Sequence, residues 1–349
     1  MRPLTEHRPK PMILVVNIPI LEHILDGLRL AGADKVLMVT GRHADIIESY
    51  FGGGERVGVE ISYVRQETRE GNARAALLAE PFVGDEPFLL CFGDIMTSKH
   101  NYKSLVQRAR QDPAACFVAT FEVPDATQGG AVFVEDDRVT KVIEKPAPEI
   151  CTTNLTNAGI FAFTPDVFPL LAETRRSPRN EYEITTTIES MIDRGGLCRP
   201  FQLEGYWSNV GRPGEVLSLN RVVLDHAARG LANIGRRSED AVFIGPNTEI
   251  SPRAQLRGPA IIGANCKIGK AAVEEYSCIS DGTCVGDGAA IRGSGLFGDC
   301  IVGPGCMVDS AIIGSRVVLE PEVEVRGTPD RVAVIADYEV VSSFPPAAG

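Results

Sequence analysis

The C-terminal part of the chain is governed by a repeat of six residues. Apolar residues fall at Ile244, Ile250, Leu256, Ile262 and Ile268, then at Ile279, Val285, Ile291 and Phe297, at Val302 and Val308, and at Ile313, Leu319 and Val325. Glycine follows these positions at 245, 263, 269, 286, 298, 303 and 314. Small or medium residues (Thr248, Ala254, Cys266, Thr283, Ala289, Cys306, Val317 and Val323) stand two positions before the next apolar one. Six residues supply one short strand and one turn, so three units close a triangular coil whose neighbours must stack to bury its interior. Simple hairpins would repeat at two and would not keep glycine in step. The pattern predicts a left-handed parallel β-helix over 241–328. Between four and five coils are expected over 244–325, with Ile250, Leu256, Ile262 and Ile268 inward. Five-residue units absorb the irregular steps at 273 and 297–302.

The region before it has a different grammar. Ile20, Ile24, Leu25 and Leu28 share one helical face, with Pro19 at the start of the run, where a missing N–H is harmless. KVLMVT at 35–40 reads as a buried strand, 44–50 as a helix, 59–64 as a strand, 72–79 as a helix and 87–92 as a strand. This alternation predicts a mostly parallel sheet covered by helices on both faces. A helix near 102–110 and a strand at 116–123 follow, then a β-hairpin at 129–145, a strand at 157–163 and a helix at 183–194. Two domains are expected: an α/β domain over 1–225 and the β-helix, separated by a linker at 226–240 and followed by a tail at 329–349.

A net charge of -11 without a long basic run makes nucleic acid a poor partner. Apolar stretches fall far short of the ~18 residues of a membrane span, and no basic, apolar leader opens the chain, so a soluble, cytoplasmic protein is expected. The nine cysteines form no C-x-x-C pair and the five histidines are scattered, so a bound metal would be a hard ion on oxygen ligands. None of the histidines lies beyond His226, so the β-helix lacks the base that an acyltransferase would need. Oligomerisation or regulation suits it better.

Taken in order, MRPLTEHRPKPM (1–12), NIPILEHIL (17–25), the GN-A run at 71–73, GDI (93–95), IEKP (143–146), NAGIFAF (157–163), NEYEIT (180–185) and GYWSNVGRP (205–213) resemble the sugar-1-phosphate nucleotidyltransferases, especially members with a C-terminal hexapeptide-repeat domain. The resemblance implies a Rossmann-like nucleotidyltransferase domain and exchange of pyrophosphate between a nucleoside triphosphate and a sugar 1-phosphate. Mg2+ is the implied cofactor, and a second copy or a paralogous subunit the implied partner, through the β-helix.

It also implies roles for residues. Lys10 resembles the family's phosphate-contacting lysine, and Lys145 the lysine on the sugar phosphate, beside Glu144 on sugar hydroxyls. Asp94 follows the apolar strand PFLLCF, at the strand end where open α/β sheets gather ligands, and suits magnesium. Gln66 and Gly71 resemble the base-reading glutamine and a close-approach glycine, and Asn157 and Gly159 resemble sugar-pocket residues. Glu181 reads equally as a sugar contact or a helix cap, and Trp207, the only tryptophan, as core or site.

Three departures bear on activity. Asn72 stands where the family's segment usually has threonine. Asn209 stands where a second magnesium carboxylate is expected, and its neutral oxygen cannot cancel the metal's charge. The family's first strand and glycine-rich triphosphate loop would precede Arg2-Pro3, so a start upstream of Met1 is expected, as is poor turnover by the 349-residue chain. Two readings stay open: an enzyme making a nucleoside diphosphate sugar from a glucose, mannose or N-acetylglucosamine phosphate, or a non-catalytic homologue that binds sugar nucleotides and pairs with an active subunit.

Overall fold

A computed structural model of the chain describes residues 1–112, 114–230, 238 and 240–343. The chain forms two compact units, Leu21–Asn209, and Met1–Ile20 together with Val210–Gly349. The division differs from the expected boundary near 225, because helix Pro213–Ala228 belongs with the C-terminal unit. Most of the expected linker, at 231–237 and 239, and the end of the expected tail, at 344–349, lie outside the described residues.

The first unit is built on a mixed sheet. Strand Leu155–Phe163 pairs along one edge with Cys116–Glu122, and its other edge is shared by Phe88–Cys91 and the hairpin Gly130–Glu135/Arg138–Glu144. Ala158 to Phe163 are all buried, as a strand covered on both faces requires. The expectation of a mostly parallel sheet is corrected here. Only Cys198–Gln202 runs parallel to its neighbour, Cys116–Glu122, because the chain returns through a hairpin and inserts Leu155–Phe163 antiparallel between earlier strands.

The expected crossover does occur at Lys35–Thr40 and Glu60–Arg65, which are parallel and joined through helix Ala44–Phe51. That pair is a separate two-stranded sheet. Beneath the larger sheet, Phe161, Phe163, Phe168, Leu171, Ile184, Ile188 and Met191 form the core, which holds helices Val167–Glu173 and Ile184–Asp193.

The second unit is a three-sided parallel β-solenoid whose faces carry six, six and five strands. It is longer than the expected four to five coils. Strands Ala333–Ile335 and Val340–Val341 pair with Ala311–Ile313 and Val318–Leu319, so 333–341 continues the solenoid and is not a tail. The loop around the Thr328–Arg331 bridge interrupts the six-residue step and conceals this last coil in the sequence.

Register corrects one inward residue. Leu296, not Phe297, stands between Ile279 and Ile313, so the short unit falls before it. Ile262 and Ile268 are buried inward as expected, and Ile250 and Leu256 pack against the same core from the first, half-covered coil. The recurrent glycines are demanded by stacking. A Cβ on Gly263 would lie 2.6 Å from the Asp281 nitrogen, and one on Gly286 would lie 2.6 Å from the Pro304 nitrogen, both in the next coil. Inward thiols bond along the axis too: Cys300 Sγ donates to the Gly314 carbonyl at 3.1 Å and Cys306 Sγ to the Glu320 carbonyl at 3.0 Å.

The N-terminal segment is part of this unit. Val16 N–H donates to Asn220 Oδ1 at 2.8 Å, Asn17 Nδ2 to the Ile279 carbonyl at 2.8 Å, and Ser280 Oγ to Asn17 Oδ1 at 2.9 Å. Outward-facing Phe243, Ile261, Cys278 and Ile312 on the first solenoid face are buried as well.

Candidate functional site

Within the first unit, several of the residues singled out from the sequence are linked by short contacts. Strand Leu155–Phe163 bulges between Asn157 and Phe161, where Gly159 adopts a φ of 74°. Asn157 Oδ1 accepts from the Gly159 N–H at 2.9 Å, and the Gly159 carbonyl accepts from the Phe92 N–H at 2.8 Å. A Cβ on Gly159 would meet the Phe92 ring at 2.8 Å and Ile95 Cγ1 at 2.9 Å. The bulge therefore packs at Gly159 against Phe92 and Ile95, the residues on either side of the loop that carries Asp94. On the other side of that loop, strand Ile95–Thr97 pairs antiparallel with Trp207–Asn209, which sets Asn209 opposite Ile95, next to Asp94 in the chain.

Trp207 has a structural part in this. Its Nε1–H donates to the Ala158 carbonyl at 2.9 Å, and its ring lies 5.7 Å from that of Phe121.

Glu144 and Lys145 come at the end of the hairpin. Gly130 pairs with Glu144, and a Cβ on Gly130 would sit 3.1 Å from Glu144 Oε2 and 3.2 Å from Asn157 Cβ. The missing side chain is what lets the two site residues approach. Lys145 leaves the ladder with a φ of 47°, its N–H donating to the Gly129 carbonyl at 2.7 Å. A left-handed lysine costs on the order of 1 kcal/mol, and such local strain concentrates at functional sites.

Burial, and then the neighbouring Glu183 carboxylate, push the Glu144 carboxyl above its ordinary value, against the opposing pull of Arg179. Arg179 Nη1 bridges the two acids, 3.4 Å from Glu144 Oε1 and 3.0 Å from Glu183 Oε1.

Gln66 and Gly71 form a linked group. Gln66 Nε2 donates to the Gly71 carbonyl at 3.1 Å, and Gly71, at a φ of 119°, is pressed so closely on Tyr182 that a Cβ would lie 2.3 Å from the Tyr182 carbonyl oxygen. Asn72 Oδ1 accepts from the Ile184 N–H at 2.8 Å, which caps helix Ile184–Asp193. Asn72 and Gly71 thus both hold to the segment 182–184.

Glu181 is exposed, and the cap position before the helix belongs to buried Glu183. Glu183, Arg179 and Gly130 were missed from the sequence. The alternation of Arg179, Glu181 and Glu183 before a helix, and the glycine pair opening the hairpin, were the available signals. Lys10 belongs to the other unit, where it opens a short 3₁₀ turn, Lys10–Met12.

Among the described residues no group of three or more His, Cys, Asp or Glu is placed to hold a metal ion. One carboxylate, Asp94, with Asn209 paired opposite the next residue, Ile95, is a donor set that magnesium accepts when substrate phosphates and water complete its shell.

A nucleotidyl transferase family profile matches residues 1–226, and a profile described as the GMPPB C-terminal domain matches 238–342. The low-salt glycan biosynthesis nucleotidyltransferase Agl11 of Haloferax volcanii is 31% identical over 331 residues, covering 89% of this chain and 91% of that protein. A glucose-1-phosphate thymidylyltransferase of Streptomyces antibioticus is 30% identical, covering 90% and 86%. In fold, a UDP-glucose pyrophosphorylase solved in complex with UDP-glucose superposes with a TM-score of 0.58 at 24% identity, over 63% of this chain and 92% of that one. With the mixed sheet, its glycine-shaped contacts and the solenoid already in place, these matches make the chain a member of the sugar-1-phosphate nucleotidyltransferase family.

Proposed function

We propose that the protein makes a nucleoside diphosphate sugar and pyrophosphate from a nucleoside triphosphate and the 1-phosphate of glucose, mannose or N-acetylglucosamine. The observation that carries this reading is the close approach of Glu144 and Asn157 around Gly130, on the strand whose Gly159 bulge packs against Phe92 and Ile95, the residues on either side of the loop bearing Asp94. In this reading Glu144 and the Asn157–Gly159 bulge orient sugar hydroxyls, Gln66 and Gly71 meet the base, and Glu181 approaches the sugar from the segment before the helix. Lys145 holds the sugar phosphate, whose oxygen attacks the α-phosphorus in line while Lys10 steadies the departing charge. Positioning and fixed positive charge, not a protein nucleophile, supply the acceleration. Bound Mg2+ at Asp94, with Asn209 as a neutral neighbour, would neutralise phosphate charge.

The protein is proposed to act in the cytoplasm, and among the described residues no helix is long and apolar enough to cross a membrane. Association with a second copy or a paralogous subunit through the solenoid belongs to the same proposal.

The test is pyrophosphate release by the protein from a panel of nucleoside triphosphates and sugar 1-phosphates supplied with magnesium. Turnover is expected with one pairing, and Lys145→Ala should lower it about a hundredfold, the scale of one lost charge-stabilising donor. Failure with every pairing would overturn the catalytic reading, and recovery of turnover on Asn209→Asp would favour a sugar nucleotide-binding homologue.

A further inference from the structure

The segment that carries Lys10 is held by the last coils of the solenoid. Arg8 Nη2 donates to Asp337 Oδ1 at 2.6 Å and to Ser315 Oγ at 2.9 Å, and its guanidinium lies over the Phe297 ring, 5.2 Å from the centroid. His7 meets Tyr338 edge-on at 5.6 Å. The ion pair is nearly dry, with 13% of the Arg8 side chain and 4% of that of Asp337 exposed.

The solenoid repeat accounts for only part of this arrangement. Asp281 Oδ1 accepts from the Ala264 N–H at 2.7 Å and Asp287 Oδ1 from the Lys270 N–H at 2.8 Å, and Asp337 Oδ1 does the same for the Ser315 N–H at 2.8 Å. Those bonds fasten one coil to the next. Arg8 is an addition to the third of them. Desolvating an arginine makes a buried pair a weak net stabiliser, so its consequence is better sought in geometry than in stability.

The geometry is transmitted over two residues. Pro9 is extended, at φ -71° and ψ 150°, and the turn Lys10–Met12 follows with a second proline inside it. The Met12 N–H donates to the Pro9 carbonyl at 2.9 Å and the Ile13 N–H to the Lys10 carbonyl at 3.1 Å. Met12 and Ile13 are buried. Lys10 thus sits on a short span with φ fixed on both sides by proline, fastened by Arg8 before it and by a buried apolar pair after it.

We propose that Arg8, held by Asp337, Ser315 and Phe297, is a positioning residue for Lys10. The inference rests on the reading of Lys10 as a phosphate contact. It is tested by acetylating lysines in the whole protein and following Lys10 by mass spectrometry, with magnesium and ATP, CTP, GTP, UTP or dTTP supplied singly.

One triphosphate should protect Lys10 in the parent. In Arg8→Ala and Asp337→Asn its protecting concentration should rise about tenfold or more, and Arg8→Lys, which keeps charge but not the planar fork, should recover part of the loss. Asp337→Asn retains an oxygen for the Ser315 N–H, so it reports on the contact even if Arg8→Ala fails to fold. In turnover, kcat should fall in Arg8→Ala, and the Arg8→Ala/Lys10→Ala double variant should be no worse than Lys10→Ala. Protection in the parent that is unchanged in the variants, or fully additive losses, would overturn the positioning role alone. A parent in which no triphosphate protects Lys10 would overturn the reading of Lys10 itself.

Discussion

Glu144 is half-buried beside a second acid and close to Asn157 across a glycine, an environment that opposes its charge. Its raised carboxyl pKa means that the folded protein binds this proton more tightly than the unfolded chain does. The resulting stabilisation is present below the ordinary carboxylate value and is lost as pH rises through the folded one. Glu144→Gln should therefore melt at a higher temperature than the parent near pH 7, and the gap should close as the pH falls below about 4, where both side chains are neutral. The same variant should lose turnover, the usual cost of neutralising a strained site. A thermal series from pH 4 to 8 with the opposite trend would show that the Arg179 contact outweighs burial. Asn72 makes the complementary case: its side-chain oxygen satisfies a backbone amide at Ile184.

At the scale of elements, the solenoid strands are only two or three residues long, so each coil depends on one inward side chain per face and on backbone pairing with its neighbours. Leu296 is fully buried between Ile279 and Ile313, and Leu296→Ala should cost about 2–5 kcal/mol in urea unfolding, the range for a truncated core leucine. A cost below about 1 kcal/mol would contradict the register given for this face. Phe297 is one position out of step, turned to the outside, where its ring meets Arg8. In the α/β unit the decisive element is Leu155–Phe163. Its bulge breaks the regular pairing where the site residues lie, and its apolar half anchors the core.

For the whole molecule, the chain's order and its compact units do not coincide. Residues 1–20 carry family motifs of the catalytic region, yet they are fastened to helix Pro213–Ala228 and to the solenoid by Asn220, Asn17 and Arg8. Native-state hydrogen exchange should then show the amide of Val16 protected together with those of the solenoid. Leu296→Ala should speed exchange at Val16 while leaving Phe161, in the mixed sheet, unchanged. Equal acceleration at both positions would mean that the protein opens as one cooperative body.

The six-residue repeat determined the solenoid by itself, because a local period imposes a local coil and each coil repeats the same demand for glycine and for small inward residues. Most helices and strands of the α/β unit were likewise legible, since their apolar faces are written at periods of two and 3.6. Pairing was not. Whether Leu155–Phe163 runs parallel or antiparallel, where the last coil re-enters after the loop near 328, and that Leu296 replaces Phe297 depend on contacts far apart in the chain. The site divides in the same way. Family motifs named Asp94, Asn157, Glu144 and Lys145, but Gly130, Arg179 and Glu183 acquire meaning only when strands and helices distant in sequence bring their atoms within a few ångströms. Tertiary structure alone decided that Arg8 belongs to Asp337, because a charge can find a partner 329 residues away only after the coils between them have stacked.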